Sequence, residues 1–306
     1  MHLVSGPRLV TEACKAGIIG ALPVQNAQGF ERLESWLTGI RDALDRHTEG
    51  GGTHVGALAM NLNAKFPDDE VDRHLALFRR TGVRLLITVG GDPTALIARA
   101  HDAGFLVFHD ITSLRFAEKA IGAGADGLIC IGAGGGGHSG TISHLSLLRT
   151  LRAQYGGALV LAGAVSDGAT VRAAEVLGAD FAYMGTRFIA TAESDAPQDY
   201  KDLLVSQTSA DLAYTGKITG VPANWLVASV RRAGIDLDGI PELPGVRRRH
   251  DHLPEHARPW KNIWSAGQGI DLIHDIPTVA DLVLRLRREY VAACRTPDMA
   301  PSAALD

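Results

Sequence analysis

The sequence has few cysteines, few aromatic residues and no long apolar run. Its three cysteines, Cys14, Cys130 and Cys294, are widely separated and form no C-x-x-C pair, so we expect reduced thiols and a cytoplasmic protein rather than a disulfide scaffold. No apolar stretch approaches the roughly 18 residues that a membrane span requires. The first residues also lack the basic head and apolar body of a signal peptide. We therefore expect no membrane association.

Neither sign of charge dominates the 306 residues. Lysine and arginine number 30 against 34 acidic residues, for a formal net charge of -4. Binding to nucleic acid or to an anionic membrane calls for a basic surface, and an aromatic content of 6% leaves little for base stacking. We therefore expect a small-molecule substrate and no nucleic-acid partner. The hydrophobic fraction of 46% is typical of a globular chain with a substantial core.

Apolar strands and amphipathic helices alternate regularly between residues 7 and 190. The strands are continuous apolar runs, as is typical of parallel strands covered on both faces, and alternating βα units with short loops predict a parallel sheet. A TIM-type (β/α)8 barrel needs eight strands. Only seven can be predicted, so the expected α/β fold is such a barrel lacking its first strand, at the front of the chain. The predicted strands span residues 18–22, 54–61, 85–89, 105–109, 128–131, 159–162 and 181–184.

The pattern changes after Thr191, where residues 211–258 become rich in loops and prolines. A final amphipathic helix is predicted from Ile276 to about Ala293. A barrel short of one strand would expose two strand edges that invite pairing with another chain, so a homodimer is compatible with this fold. The predicted organisation is a cofactor-binding barrel (1–195 and 265–294), an appended C-terminal helical and loop region inserted on the substrate side (196–264) and a flexible tail (295–306).

A glycine-rich loop ending in a histidine follows the fifth predicted strand. Five of the six residues in Gly132–Gly137 are glycine, so the backbone can take positive φ and approach a flat ligand. Loops at the carboxyl ends of parallel strands carry the chemistry of α/β enzymes, and an imidazole can act as a base near neutral pH. His138 is therefore the candidate catalytic residue. The alternative is a loop histidine without a role.

The loops after the last two predicted strands predict a phosphate site. In βα barrels this pair of loops commonly binds phosphate through backbone N–H groups, and Gly163, Gly185 and Thr186 are suitable residues. The alternative is that these glycines only form turns. Asn61 at the end of an earlier strand can hydrogen-bond a flavin or a substrate, or simply form a turn. Gln268 can bond a ligand at the pocket mouth, or lie in a plain loop.

Three histidines, His250, His252 and His256, stand beside an arginine run at residues 247–249. A metal site would need rigid geometry and a clear set of ligands. This stretch contains proline and many charges, which is typical of a solvated loop. We therefore predict no metal.

Seven short motifs together carry a resemblance to a known family. They are residues 4–7 (VSGP), 16–20 (AGIIG), 60–62 (MNL), 135–140 (GGGHSG), 162–168 (AGAVSDG), 184–188 (MGTRF) and 265–269 (SAGQG). In this order, and over nearly the whole chain, they resemble the nitronate monooxygenase family, formerly the 2-nitropropane dioxygenases.

The resemblance implies non-covalent FMN, with His138 close to the reactive face of the flavin. It implies oxidation of alkyl nitronates such as propionate 3-nitronate by O₂, giving a carbonyl compound and nitrite. His138 would deprotonate a nitroalkane or orient the nitronate. The expected cofactor-binding residues are Asn61 at a strand end, Gln268 at the pocket mouth, Gly136 and Gly137 at the isoalloxazine ring, and Gly163, Ala164, Gly185 and Thr186 at the phosphate.

Two positions depart from the family pattern. Only Met1 remains of the Ala-Pro-Met that usually precedes the Ser-Gly-Pro stretch, and Ala164 stands where many members have a second glycine, which weakens the phosphate site only if φ must be positive there. Related enoyl reductases and quinone reductases share much of the pattern. The alternative function is therefore an NAD(P)H-dependent flavin reductase acting on a quinone or an enoyl thioester. A third interpretation is a non-catalytic barrel that binds flavin poorly.

Overall fold

Seven parallel strands form one curled sheet in sequential order. The computed structural model of the protein describes residues 1–241 and 251–295. The predicted TIM-type barrel architecture with seven strands is confirmed. The strands are β1 (Gly20–Pro23), β2 (Leu58–Asn63), β3 (Leu85–Val89), β4 (Leu106–Ile111), β5 (Gly127–Ile131), β6 (Ala158–Ala162) and β7 (Phe181–Tyr183).

Helices connect the strands and cover the outer face of the sheet. Strand β2 begins later than the predicted 54–61, because His54 has a φ of 63° and Gly56 lies so close to the Ile18 carbonyl that a Cβ would overlap it. The helices are α1 (Pro7–Lys15), α2 (Phe30–Glu49), α3 (Asp68–Arg80), α4 (Thr94–Asp102), α5 (Leu114–Gly122), α6 (His144–Arg152), α7 (Gly168–Val176), α8 (Thr186–Ile189), α9 (Gln198–Ser206), α10 (Val227–Arg232) and α11 (Val279–Cys294).

Side chains of the strands alternate between two apolar layers, as the period of a strand requires. One layer fills the barrel interior and the other packs between the sheet and its helices. Phe108 occupies the interior, and Gly127 on the neighbouring strand makes room for its ring. The interior layer is formed by Ala59, Leu85, Ile87, Phe108, Ile129, Val160 and Ala162.

Among the described residues, the edge strands β1 and β7 do not pair with each other. The gap between them is not left open, because α11 packs against both α1 and α7. Leu9 and Ala13 of α1, Phe188 of α8, and Leu282 and Val283 of α11 form one apolar cluster there. Among the described residues the two strand edges are therefore unpaired, as expected, while α11 covers the gap on the helix side.

The inserted region contains strands that the sequence pattern did not predict. Strand β8 (Leu212–Thr215) pairs antiparallel with β9 (Ala223–Leu226), and Trp225 is fully buried there. Four residues are too few to show a clear alternation, and glycine and proline between the strands give the stretch the composition of a loop. Arg247–Arg249, His250 and the predicted tail beyond Arg295 lie outside the described residues. Within the described ranges, no helix is both long and apolar enough to cross a bilayer.

Candidate active site

The glycine-rich loop packs closely against three other segments at the carboxyl ends of β5, β6 and β7. A Cβ at Gly136 would lie 2.7 Å from the Gly267 nitrogen, and one at Gly163 would lie 2.7 Å from the Gly135 nitrogen. The Gln268 N–H donates to the Gly134 carbonyl over 3.0 Å. The structure thus brings together the predicted loops around residues 136, 163, 185 and 268.

His144 explains much of the glycine spacing and was missed in the sequence. Its ring lies under the loop, so that a Cβ at Gly132, Gly134 or Gly163 would fall within 2.6–2.9 Å of it. Its Nε2 lies 3.0 Å from the Ala162 carbonyl oxygen, which assigns the proton to Nε2. Burial lowers the pKa of His144, consistent with a neutral ring. Gly137 differs from its neighbours, because no atom of the described residues lies within 4 Å of a Cβ built there.

The loops after β6 and β7 present unused backbone donors. Among the described residues, the N–H groups of Gly163, Ala164, Gly185 and Thr186 have no hydrogen-bond acceptor. The Thr186 hydroxyl instead accepts the Gly267 N–H over 2.9 Å, which ties this loop to the one before Gln268. Adjacent unpaired N–H groups suit a phosphate. The phosphate of FMN therefore fits the donors that this part of the chain offers.

Ala164 has a φ of 56°, in the left-handed region that glycine favours. The condition set by the sequence, that the site is weakened if φ must be positive, thus applies to this residue. Its N–H is nevertheless free. The alanine costs stability at this position and leaves the donor in place.

His138 stands at the end of the glycine loop with a defined hydrogen bond. Its Nε2 lies 3.0 Å from the Thr219 hydroxyl oxygen, and that hydroxyl donates to the Val221 carbonyl over 3.1 Å. Since the hydroxyl has one proton, Nε2–H must donate to it, which leaves Nδ1 as an acceptor without a partner among the described residues. The Trp260 indole meets the His138 ring edge to face, with centroids 5.1 Å apart.

The ionisation of His138 follows from these neighbours. The ring keeps exposed surface, yet the atoms packed around it desolvate it and lower its pKa below the ordinary 6.5. No carboxylate among the described residues pairs with it. The imidazole is therefore neutral at pH 7 and can accept a proton at Nδ1.

Asp110 adds a half-buried residue with one fully buried carboxyl oxygen, and no sequence motif points to it. It follows the interior residue Phe108 by two positions on β4 and so faces the barrel interior. Its Oδ1 is buried without a partner among the described residues. Burial raises the pKa of Asp110 to about 7. Its Oδ1 atom is therefore shielded from water.

Asn61 and the side chain of Gln268 are placed less closely. Asn61 lies at the carboxyl end of β2, three strands away from the strand that leads into the glycine loop. Gln268 is exposed, and its backbone rather than its side chain makes the contact with the loop. Of the histidines considered for a metal, His252 lies 3.0 Å from the Lys217 carbonyl oxygen. The described residues contain no group of three or more metal-ligating side chains.

Comparison with known proteins connects this geometry to a family. The sequence model described as nitronate monooxygenase matches residues 1–289. A nitronate monooxygenase of Paraburkholderia phytofirmans is 26% identical, over 94% of this chain and 89% of that protein. The solved structure of a nitroalkane oxidase from Streptomyces ansochromogenes has a TM-score of 0.74 and 27% identity, covering 95% of this chain and 93% of that one.

Two further comparisons give a relative with a different name and a solved structure with the same fold. The (3aS,4S,5R,7aS)-5-hydroxy-7a-methyl-1-oxo-octahydro-1H-indene-4-carboxyl-CoA dehydrogenase of Rhodococcus jostii is 29% identical over 72% of this chain, and the match covers 59% of that protein's length. The chain thus spans about three fifths of this relative. FabK from Thermotoga maritima shares the fold, with a TM-score of 0.71 and 23% identity over 96% of this chain and 91% of that one.

Proposed function

The chain belongs to the nitronate monooxygenase family, a family of flavin oxidoreductases, and from this premise we propose that it binds FMN and oxidises alkyl nitronates. The proposed substrates are propionate 3-nitronate and similar compounds, with O₂ as co-substrate and a carbonyl compound and nitrite as products. The observation that carries the proposal is the set of free N–H groups at Gly163, Ala164, Gly185 and Thr186, with His138 in the adjoining loop.

The residues around this set suit FMN in their chemistry. Four backbone donors suit the phosphate, and the open side of Gly137 leaves room for a flat ring. Gly136 keeps the neighbouring backbone close, and Asn61 and Gln268 supply amides for the polar edges of the flavin. When bound, FMN would supply the redox chemistry between the nitronate and O₂.

His138 would act as the base for a neutral nitroalkane. With a neutral nitroalkane, its free Nδ1 accepts the proton from the carbon beside the nitro group, since the ring is neutral at pH 7. With a preformed nitronate no proton need be removed, so the role of Nδ1 as a base is not required. Thr219 holds the ring in the tautomer that this role requires.

A second candidate is supported by the dehydrogenase from Rhodococcus jostii, whose name gives a carboxyl-CoA substrate. In this alternative the protein is a flavin reductase that takes hydride from NAD(P)H and passes it to a quinone or an enoyl thioester. The two candidates share the proposed cofactor site. They differ in what reduces the flavin.

The test starts from the absorption spectrum of the purified protein and the identity of any flavin released on denaturation. Nitrite is then measured with propionate 3-nitronate in air and under anaerobic conditions. The proposal expects bound FMN and O₂-dependent nitrite. A colourless protein, or a flavoprotein without nitrite that NAD(P)H reduces anaerobically, would contradict it, and the second result would support the alternative.

Location and assembly belong to the same proposal. A cytoplasmic enzyme is proposed because the cysteines are far apart and two of them, Cys14 and Cys130, are buried. Burial raises the pKa of the Cys14 thiol to about 11 and that of Cys130 to about 12, which makes both poor nucleophiles. Cell fractionation tests the location, and sedimentation tests the compatibility with a homodimer.

A further inference from the structure

A cleft of about 730 Å³ opens beside Trp260, the residue that also contacts His138. It runs along the N-terminal segment and α1, with Leu3 and Pro7 in its wall. Ligand sites are typically 300–1,000 Å³, so the cleft has room for a ligand much larger than a three-carbon nitronate. One indole ring separates it from the candidate base.

The walls of the cleft carry an excess of positive charge in a protein whose net charge is -4. Arg8, Arg32 and Lys261 line it, against one acid, Asp195. Asp195 packs against the Gly6 backbone, where a Cβ would overlap its carboxylate. Among the described residues, none of the three cations forms an ion pair or a side-chain hydrogen bond. Their hydrogen-bond donors are therefore available to an anion.

Two indole rings accompany these cations. The Arg32 guanidinium lies 4.9 Å from the centroid of the Trp36 ring, which also lines the cleft. Trp260 has a φ of 61°, and its backbone N–H donates to the Ile263 carbonyl over 2.8 Å. A left-handed conformation in a bulky residue stores strain and is commonly found at ligand sites. Aromatic faces next to guanidinium groups suit a ligand that combines a flat base with phosphates.

From the cleft, its cations and its indole rings, we infer that this protein binds the adenosine-phosphate end of a large substrate or co-substrate, with the reactive end directed past Trp260 towards His138. Both coenzyme A thioesters and nicotinamide nucleotides carry such an end. The direction towards His138 rests on the proposed function, whereas binding of the adenosine-phosphate end rests on the cleft alone. Free cations also suit solvated surface, and the variants below separate the two.

The experiment measures equilibrium binding to the purified full chain by titration calorimetry. The probes are coenzyme A, NADPH and adenosine, at low and at physiological salt. We expect coenzyme A or NADPH to bind more tightly than adenosine, and to weaken as salt is raised. Arg8→Gln, Arg32→Gln and Lys261→Met should each weaken binding about three- to tenfold, because each removes a charge-assisted contact.

Arg79→Gln is the matched control, since Arg79 is exposed, forms no ion pair among the described residues and lies outside the cleft. It should leave binding unchanged, and circular dichroism should show that all four variants are folded. Preference for coenzyme A would identify an acyl carrier, and preference for NADPH a nicotinamide nucleotide. The inference is overturned if neither binds more tightly than adenosine, or if Arg79→Gln weakens binding as much as Arg32→Gln. Tight binding without nitrite formation would instead count against the proposed function.

Discussion

The two sides of the barrel mouth offer different kinds of chemical group to a ligand. The proposed cofactor side, around Gly163, Gly185 and Thr186, offers backbone N–H groups held by tight packing. The proposed substrate side, around Arg32 and Trp260, offers long side chains in an open cleft. Backbone donors fix a phosphate whatever the substrate is, whereas side chains can change with it. We therefore expect the cofactor side to be shared within the family and the substrate side to differ with the substrate.

His138→Ala tests the junction of the two sides and should have the largest effect. Turnover of a neutral nitroalkane should fall about 10²–10⁴-fold, the usual contribution of a positioned base, while FMN is retained. Turnover of a preformed nitronate should fall less. In the parent protein, kcat/KM with the nitroalkane should rise with pH and level off above a pKa lower than 6.5, since burial depresses the pKa of His138. Steady-state rates across pH provide the measurement.

Thr219→Val serves as the positional control for His138. It removes the acceptor of the Nε2 proton and keeps the shape of the side chain. A loss of roughly two- to tenfold with the nitroalkane is expected, in line with one hydrogen bond. Loss of FMN in His138→Ala or in Thr219→Val would show that a change at His138 or Thr219 also disturbs the cofactor side.

Asp110→Asn tests whether the carboxyl of Asp110 in the barrel interior makes stability depend on pH. The pKa of this carboxyl is raised from 3.8 to about 7 by burial, so the native state holds a proton that the unfolded state releases. Stability should therefore fall as pH rises from about 4 to about 7, by roughly 2–4 kcal/mol from this group. The asparagine variant should lose that part of the slope. Urea unfolding at pH 5 and pH 8 measures it.

The exposed Asp102→Asn is the control for this slope. It should follow the pH dependence of the parent protein. A parent and an Asp110→Asn variant with the same slope would mean that water reaches the carboxyl.

Gly185→Leu tests the cofactor side alone. Gly185 has a φ of -102°, and among the described residues only Met1 lies within 4 Å of a Cβ built there, so the fold should tolerate a side chain. The leucine would cover the free N–H groups and should weaken FMN binding about tenfold or more, because a charged acceptor would lose at least one hydrogen bond. Flavin titration of the apoprotein measures this.

Gly39→Leu provides the comparison on an exposed face of α2, where a Cβ built at Gly39 has no atom of the described part of the chain within 4 Å. It should leave FMN binding unchanged and not reduce the melting temperature, because leucine is the better helix former. Full FMN affinity in Gly185→Leu would remove this loop from the cofactor site.

The same contrast explains what the sequence could predict. The seven strands and the glycine loops each lie within a few consecutive residues, so the apolar runs and glycine spacing were sufficient to find them. Thr219 is 81 residues from His138 along the chain, and no local pattern links them. Trp260, Arg8 and Arg32 likewise meet only in the folded chain. Residues that act through side-chain contacts between distant segments have no local signature.

Conformation at single residues was also beyond the sequence. The substitution of alanine for glycine at Ala164 was visible, but not whether φ there is positive. His144 shows the same limit, because glycine spacing reveals that something approaches the loop and not which ring does so. Strands β8 and β9 were missed because four residues each are too few to establish a period.

Ala164→Gly should have the smallest effect, and it isolates backbone conformation on the cofactor side. At a φ of 56° an alanine carries a steric cost of about 1–2 kcal/mol that glycine avoids. Glycine in turn loses more entropy on folding, about 0.5–1 kcal/mol, and the methyl contact near Gly134 disappears. A net gain of about 0.5–1 kcal/mol in unfolding free energy is therefore expected, measured by urea unfolding of the apoprotein.

The control reverses the sign of that change. Ala173 is exposed in the middle of α7, where glycine only adds entropy to the unfolded chain, so Ala173→Gly should lose about 0.5–1 kcal/mol. FMN affinity should stay within about twofold in Ala164→Gly, because alanine and glycine present the same backbone N–H to the phosphate. A destabilised Ala164→Gly would mean that the left-handed conformation is not maintained in solution. A large change in FMN affinity would instead mean that the methyl group, and not only the backbone, takes part in the cofactor side.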